Sequence, residues 1–224
     1  MPRSPQKRLQ KFGHVTVESD ERCSLIIHAV RHVASDTIIA IHVNMTEDEL
    51  IERLRERSQD PRRATSAGGS PSNYSMYAPT FPPVPLAFVQ DAQQRFGFPL
   101  PTLLIRIWAE VANGGVGPGY GIHSLEGGLT DDGLHLPLPD FFLEYRNEPD
   151  WIELIGEKSA LRAFLICDWG CGTFSVLDCS VPEGNMLLLD KGQLLDQRVT
   201  FARWIEDWLN GIQVGANDYR SATN

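Results

Sequence analysis

No apolar run in this chain approaches the ~20 residues that a membrane-spanning helix needs. The most apolar N-terminal stretch, Leu25 to Val43, is interrupted by His28, Arg31, His32 and Asp36. The basic start (Arg3, Lys7, Arg8, Lys11) is not followed by the apolar core of a signal peptide. The expectation is therefore a cytoplasmic protein with no membrane partner. Basic charge is also scarce: 20 Lys and Arg stand against 29 Asp and Glu, for a net charge of −9. The deficit is uneven. Residues 1–44 hold 6 basic and 4 acidic side chains, whereas the chain from Ala64 onward holds 9 basic and 19 acidic ones. An acidic body repels nucleic acid and attracts basic partners, so no nucleic-acid partner is expected.

Cysteine is sparse and wrongly spaced for metal. Cys167, Cys171 and Cys179 follow a C-x3-C-x7-C pattern, Cys23 lies far away, and no histidine sits nearby to complete a site. Buried free thiols are expected, with no metal and no cofactor. Catalytic signatures are missing as well. Gly114, Gly115, Gly117, Gly119 and Gly121 contain neither G-x-G-x-x-G nor a GK[ST] ending. They also follow a helix pattern, whereas a phosphate-binding loop opens one. The run reads as a helix stop and tight turn. His123 and His135 could be drawn as partners of Cys167 or Ser124, but no nucleophile elbow or cysteine-protease signature accompanies them. The paired acids Asp131-Asp132 and Glu206-Asp207 read as solvated charge, the second pair on the outer side of the last helix.

What is present organises the chain. Residues 1–44 form an extension with two β-leaning runs, Ser24 to Val30 and Thr37 to Val43, the first also compatible with helix. In residues 45–57, Thr46 and Glu49 make a capping box and Leu50, Ile51 and Leu54 one apolar face. Glu49 is positioned to pair with Arg53 on this short solvated helix. A capped helix directly after Met45 has the look of a natural start, with residues 1–44 lying upstream of it. Residues 58–81 are rich in Pro, Gly and Ser and read as a linker or arm, with Tyr74, Tyr77 and Phe81 as docking points.

The main domain is assigned to residues 82–212. Pro85, Phe88, Val89, Ala92 and Phe96 form a helical stripe closed by Gly97. Pro99 and Pro101 turn the chain into a second helix carrying Leu104, Ile107, Trp108 and Val111, which Asn113-Gly114-Gly115 ends. A short strand is expected at Tyr120 to Leu125 and a short helix at Asp140 to Arg146. Leu161 to Cys167 and Thr173 to Asp178 flank a turn at Asp168-Trp169-Gly170. In that turn Asp168 is expected to cap backbone N–H groups and Trp169 to be partly buried. Met186 to Asp190 is a further strand, and Phe201, Trp204, Ile205, Trp208 and Leu209 mark a closing helix between a Thr200 cap and Gly211. Residues 213–224 read as a flexible tail. The pattern implies an α+β domain, with helices on one face of a largely antiparallel sheet.

Gly97, Leu100 and Pro101, then Trp108, then Asn113, Gly114 and Gly115, with Trp169 and Gly170 at a later strand end, together resemble the SUKH superfamily. These are domains similar to the yeast Smi/Knr cell-wall synthesis regulator. The resemblance spans roughly Pro82 to Ile212. It implies a binding domain without catalytic residues: in bacteria an immunity protein that neutralises a toxin, often a nuclease; in fungi an interaction scaffold. The expected partner is then a protein, such as a basic nuclease-like toxin, bound through acidic surface. Tyr120, Asp168, Trp169, Asp131 and Asp132 are the candidate pocket or partner-binding residues. A hydrolase or small-ligand protein using Cys167, Asp168 or His123 is the remote alternative.

Overall fold

The computed structural model describes residues 45–60, 80–126, 137–170 and 172–212. The N-terminal runs, Tyr74 and Tyr77, Asp131, Asp132 and His135, Cys23 and Cys171, and the tail at 213–224 lie outside the described residues. The protein is α+β. Four antiparallel strands, β1 (Ala163–Gly170), β2 (Thr173–Asp178), β3 (Asn185–Asp190) and β4 (Gln193–Thr200), form one sheet in the order β1-β2-β3-β4. Helices α1 (Glu47–Ser58), α2 (Leu86–Phe96) and α3 (Thr102–Arg106) precede the sheet. So do α4 (Leu138–Tyr145), α5 (Pro149–Ile155) and α6 (Glu157–Ala160); α7 (Phe201–Leu209) closes the chain.

Helix boundaries follow the sequence closely where caps set them. Thr46 Oγ1 accepts from the Glu49 N–H and Glu49 reaches back to the Thr46 N–H, which completes the capping box. That use of the Glu49 carboxylate replaces the expected pairing with Arg53. Arg53 instead crosses to α7, donating to the Leu209 carbonyl and to Asn210 Oδ1, each at 2.9 Å. Gly97 ends α2 at φ 83°, the left-handed conformation that glycine adopts without a steric penalty. Thr200 caps α7 by accepting from the Arg203 N–H.

The core joins both layers. Phe96, Phe98, Phe142 and Phe164 form an aromatic cluster that ties α2 and α4 to β1. β2 is buried at all six positions, so both of its faces are covered. Trp108, Trp204 and Trp208 are enclosed, as their helical stripes predict. Helix α1 is more deeply embedded than a solvated helix: Leu50, Ile51 and Leu54 are buried against α3, α7 and the turn that follows α3.

Three further expectations change. The helix carrying Trp108 does not continue as α-helix; Ile107–Val111 widens into a π turn closed by Ala112 N–H on the Ile107 carbonyl. The cause is competition for its carbonyls. Val84 N–H takes the Trp108 carbonyl at 3.0 Å and Arg55 Nε takes that of Glu110 at 3.3 Å. Tyr120 to Leu125 is not a strand but a single bridge, Ile122 to Cys167. Its glycine neighbours fold the Ile122 peptide back, so Gly115 N–H donates to the Ile122 carbonyl and Ile122 N–H to that of Val116. Finally, Glu206 and Asp207 are not solvated: they are 5% and 8% exposed. α1 covers that side of α7, Met45 N–H donates to Glu206 Oε1, and Arg203 pairs with both carboxylates.

Candidate functional site

Of the residues singled out in the sequence, Trp108, Asn113 and the glycine run meet the last residues of β1 beside the π turn, whereas Leu100 and Pro101 lie elsewhere. Trp108 Nε1 donates to the His123 carbonyl at 3.0 Å. Asn113 clamps the returning chain with its side chain: Oδ1 accepts from Leu125 N–H at 2.8 Å and Nδ2 donates to the Glu126 carbonyl at 2.9 Å. Between these two anchors the loop passes so close to β1 at Gly119 that no side chain fits there. A Cβ on Gly119, which holds φ 58°, would fall 2.5 Å from the Asp168 carbonyl and 2.8 Å from Cys167 Sγ. Leu100 is buried and its N–H donates to Gln93 Oε1, while the Pro101 ring packs on Gly184.

Tyr120, Asp168 and Trp169 do come together. Tyr120 N–H donates to the Asp168 carbonyl at 2.9 Å, and the Tyr120 hydroxyl lies over Gly170, which holds φ 80° beneath it. All three are half-exposed. Asp168 uses a carboxylate oxygen within the turn, and Trp169 uses its indole N–H on β2. Asp168 Oδ1 accepts from Gly170 N–H at 2.6 Å, and Trp169 Nε1 donates to Ser175 Oγ at 2.8 Å.

Two of the groups a hydrolase would need, Cys167 and His123, are enclosed. Burial, with the nearby Asp168 charge, pushes the Cys167 thiol well above its ordinary pKa. Cys167 Sγ lies 3.1 Å from the Pro118 carbonyl, so the thiol serves as a donor to backbone. Burial likewise lowers the His123 pKa to about 4, against the opposing pull of Asp168 and of a hydrogen bond to the Leu165 backbone. Its Nδ1 is buried without a hydrogen-bond partner. Cys179 is also buried, its pKa raised by desolvation. Among the described residues no cluster of His, Cys, Asp or Glu could hold a metal ion.

Sequence reasoning gave little weight to two surfaces. The first runs along α4 to α6, where Glu144, Glu148, Asp150, Glu153 and Glu157 are exposed or half-exposed. Residues 144–157 hold one basic side chain, Arg146, whose guanidinium lies 5.7 Å over the Phe142 ring. The spacing of these acids was visible in the sequence; the short helices that present them were not. The second is an open groove of about 340 Å³ between α1 and the start of α7, bordered by Met45, Leu50, Arg203 and Glu206. No helix among the described residues is long and apolar enough to cross a membrane. No family model, no curated protein and no solved structure matches the chain.

Proposed function

We propose that this is a non-enzymatic protein-binding domain, of the SUKH immunity type, that neutralises a basic toxin by stoichiometric occlusion. The observation that carries the reading is the exposed carboxylate run Glu144, Glu148, Asp150, Glu153 and Glu157 on an acidic body. Acidic side chains can complement a groove that normally holds phosphates, and such binding requires only steering and coverage. Two further features support binding over hydrolysis: the Cys167 thiol is enclosed and its ionisation suppressed, and the Asp168 carboxylate is committed to the Gly170 N–H. A stable complex of this kind buries ~1,200–2,000 Å² in total.

Capture with tagged protein from the native host, at low and then at high salt, tests the reading. The expected result is one stoichiometric basic partner whose association slows by about tenfold as salt rises, because a charge-steered encounter is screened. Replacing Glu148, Asp150 and Glu153 by Lys should abolish the salt dependence. An association rate indifferent to both salt and these substitutions refutes the acidic-occlusion mechanism.

A further inference from the structure

The open groove beside the start of α7 lies where β4 leaves its regular pairing with β3. Asn185 faces Thr200 and Leu187 faces Asp196, so Met186 alone stands opposite the β4 stretch Gln197 to Val199. This bulge sends neighbouring residues in opposite directions. Gln197 turns into the protein, and Arg198 turns outward to border the groove. Arg198 reaches that position at φ 55°, a left-handed conformation that arginine adopts only against a steric penalty. Asp196 Oδ1 holds it there by accepting the Arg198 N–H at 2.8 Å. Lys191, also at positive φ, sits with Gly192 in the two-residue β3–β4 hairpin turn, where such conformations are ordinary. Nothing of that kind accounts for Arg198.

The charges around the groove are compensated except at this residue. Glu206, on the groove wall, accepts from the Met45 N–H at 3.3 Å and pairs with Arg203 at 3.5 Å. Asp207 takes the other arm of Arg203 at 2.7 Å. The Arg198 guanidinium has no ion-pair or hydrogen-bond partner among the described residues. Beside it the wall is apolar: Met45, Val199 and Ala202 border the same space and pack against the core. The volume of about 340 Å³ falls at the lower end of the ~300–1,000 Å³ typical of small-molecule sites.

We propose that this groove binds a small aliphatic carboxylate, its carboxylate on Arg198 and its carbon chain along Met45, Val199 and Ala202. A guanidinium offers paired N–H donors that match the two oxygens of a carboxylate. The apolar wall selects against inorganic anions, which bring no carbon to bury, and the unpaired cation selects against alcohols and amines of the same length. The bulge and the left-handed backbone then have a use: they aim a cation at a place to which a regular strand would not point it. The site is separate from the acidic run on α4 to α6, and the inference does not depend on the partner proposed for that run.

Titration of hexanoate into the isotope-labelled full chain, followed by NMR, tests the proposal. The Val199, Ala202 and Arg203 amides should shift saturably, with a Kd on the order of 1 mM for a ligand this small. Hexanol, hexylamine and inorganic phosphate should each bind at least about tenfold more weakly, since each lacks either the negative charge or the carbon chain. Arg198→Gly is the decisive variant. Glycine adopts φ 55° without strain, so the fold is kept while the guanidinium is lost, and affinity for hexanoate should fall at least about tenfold. Hexanoate binding that survives this substitution overturns the proposal. So do equal affinities for hexanol or phosphate, and so does a titration of the unaltered protein that shows no saturable shift. Should the variant fail to fold, the Arg198 Nε–H signal of the unaltered protein decides: movement in step with the amides upholds the site, and a signal that stays fixed overturns it.

Discussion

Acid should weaken this protein through His123 in particular. The ring is wholly enclosed, hydrogen-bonded to the Leu165 backbone, and holds a folded-state pKa of about 4 against an ordinary 6.5. The folded pKa is depressed, so between pH 6.5 and 4 the unfolded chain binds a proton that the folded chain refuses. Stability therefore falls as pH drops through that window, is unaffected by this group above it, and levels off below about pH 4. At ~1.4 kcal/mol per pKa unit, moving from pH 7.0 to pH 4.5 should cost about 2 kcal/mol from this residue alone. With a urea slope of ~2 kcal/mol per molar, the midpoint moves down by about 1 M. Carboxylates such as Glu110, held low by Arg106, add their own acid sensitivity at lower pH. A His123→Gln variant isolates the histidine, because glutamine keeps a polar side chain of similar size but does not titrate here. Urea unfolding of both proteins at the two pH values gives the difference directly. Equal pH dependence within about 0.5 kcal/mol refutes the reasoning, and so does an NMR titration placing the His123 pKa near its ordinary value.

Glycine substitutions should separate open from crowded positions. Gly119→Ala meets the Asp168 carbonyl and Cys167 Sγ and should cost about 3 kcal/mol or more, whereas Gly97→Ala, with open space around it, should cost only about 1 kcal/mol; thermal melts compare them. Trp208→Ala empties a site buried under Arg57 and should lose ~3–5 kcal/mol by urea unfolding. Thr46→Ala removes the α1 cap and should cost about 1 kcal/mol, with α1 amides exchanging faster than those of β2.

Features set by local chemistry were readable in the sequence. The capping box at Thr46 and Glu49, the Gly97 stop, the stripes of Trp108 and Trp208 and the Asp168 turn all depend on residues a few positions apart. What escaped depends on distant partners. β4 was missed because Gln197 turns inward and Arg198 takes φ 55° where the strand departs from regular pairing with β3, which erases the alternation a strand would show. α5 and α6 are seven and four residues long, too short to display a period. The burial of Glu206 is invisible in α7 itself, since Met45, whose N–H it accepts from, lies 161 positions earlier. For the candidate site, the sequence indicated Tyr120, Asp168 and Trp169 and the capping role of Asp168; the fold adds that Tyr120 N–H takes the Asp168 carbonyl and that Trp169 Nε1 takes Ser175 Oγ on β2.

The π turn also sets a phase. In a regular α-helix each residue advances about 100° around the axis, and a π turn accommodates one residue more than the α-helix over the same contacts. Forcing Ile107–Val111 into ordinary winding with its length unchanged would swing everything beyond it by about that angle. Asn113 would then miss the Leu125 N–H, and the carbonyls now serving Val84 and Arg55 would turn back into the helix. Loss of the π turn would therefore be felt at both ends of the domain, in the strap at Val84 and in the returning chain at Leu125.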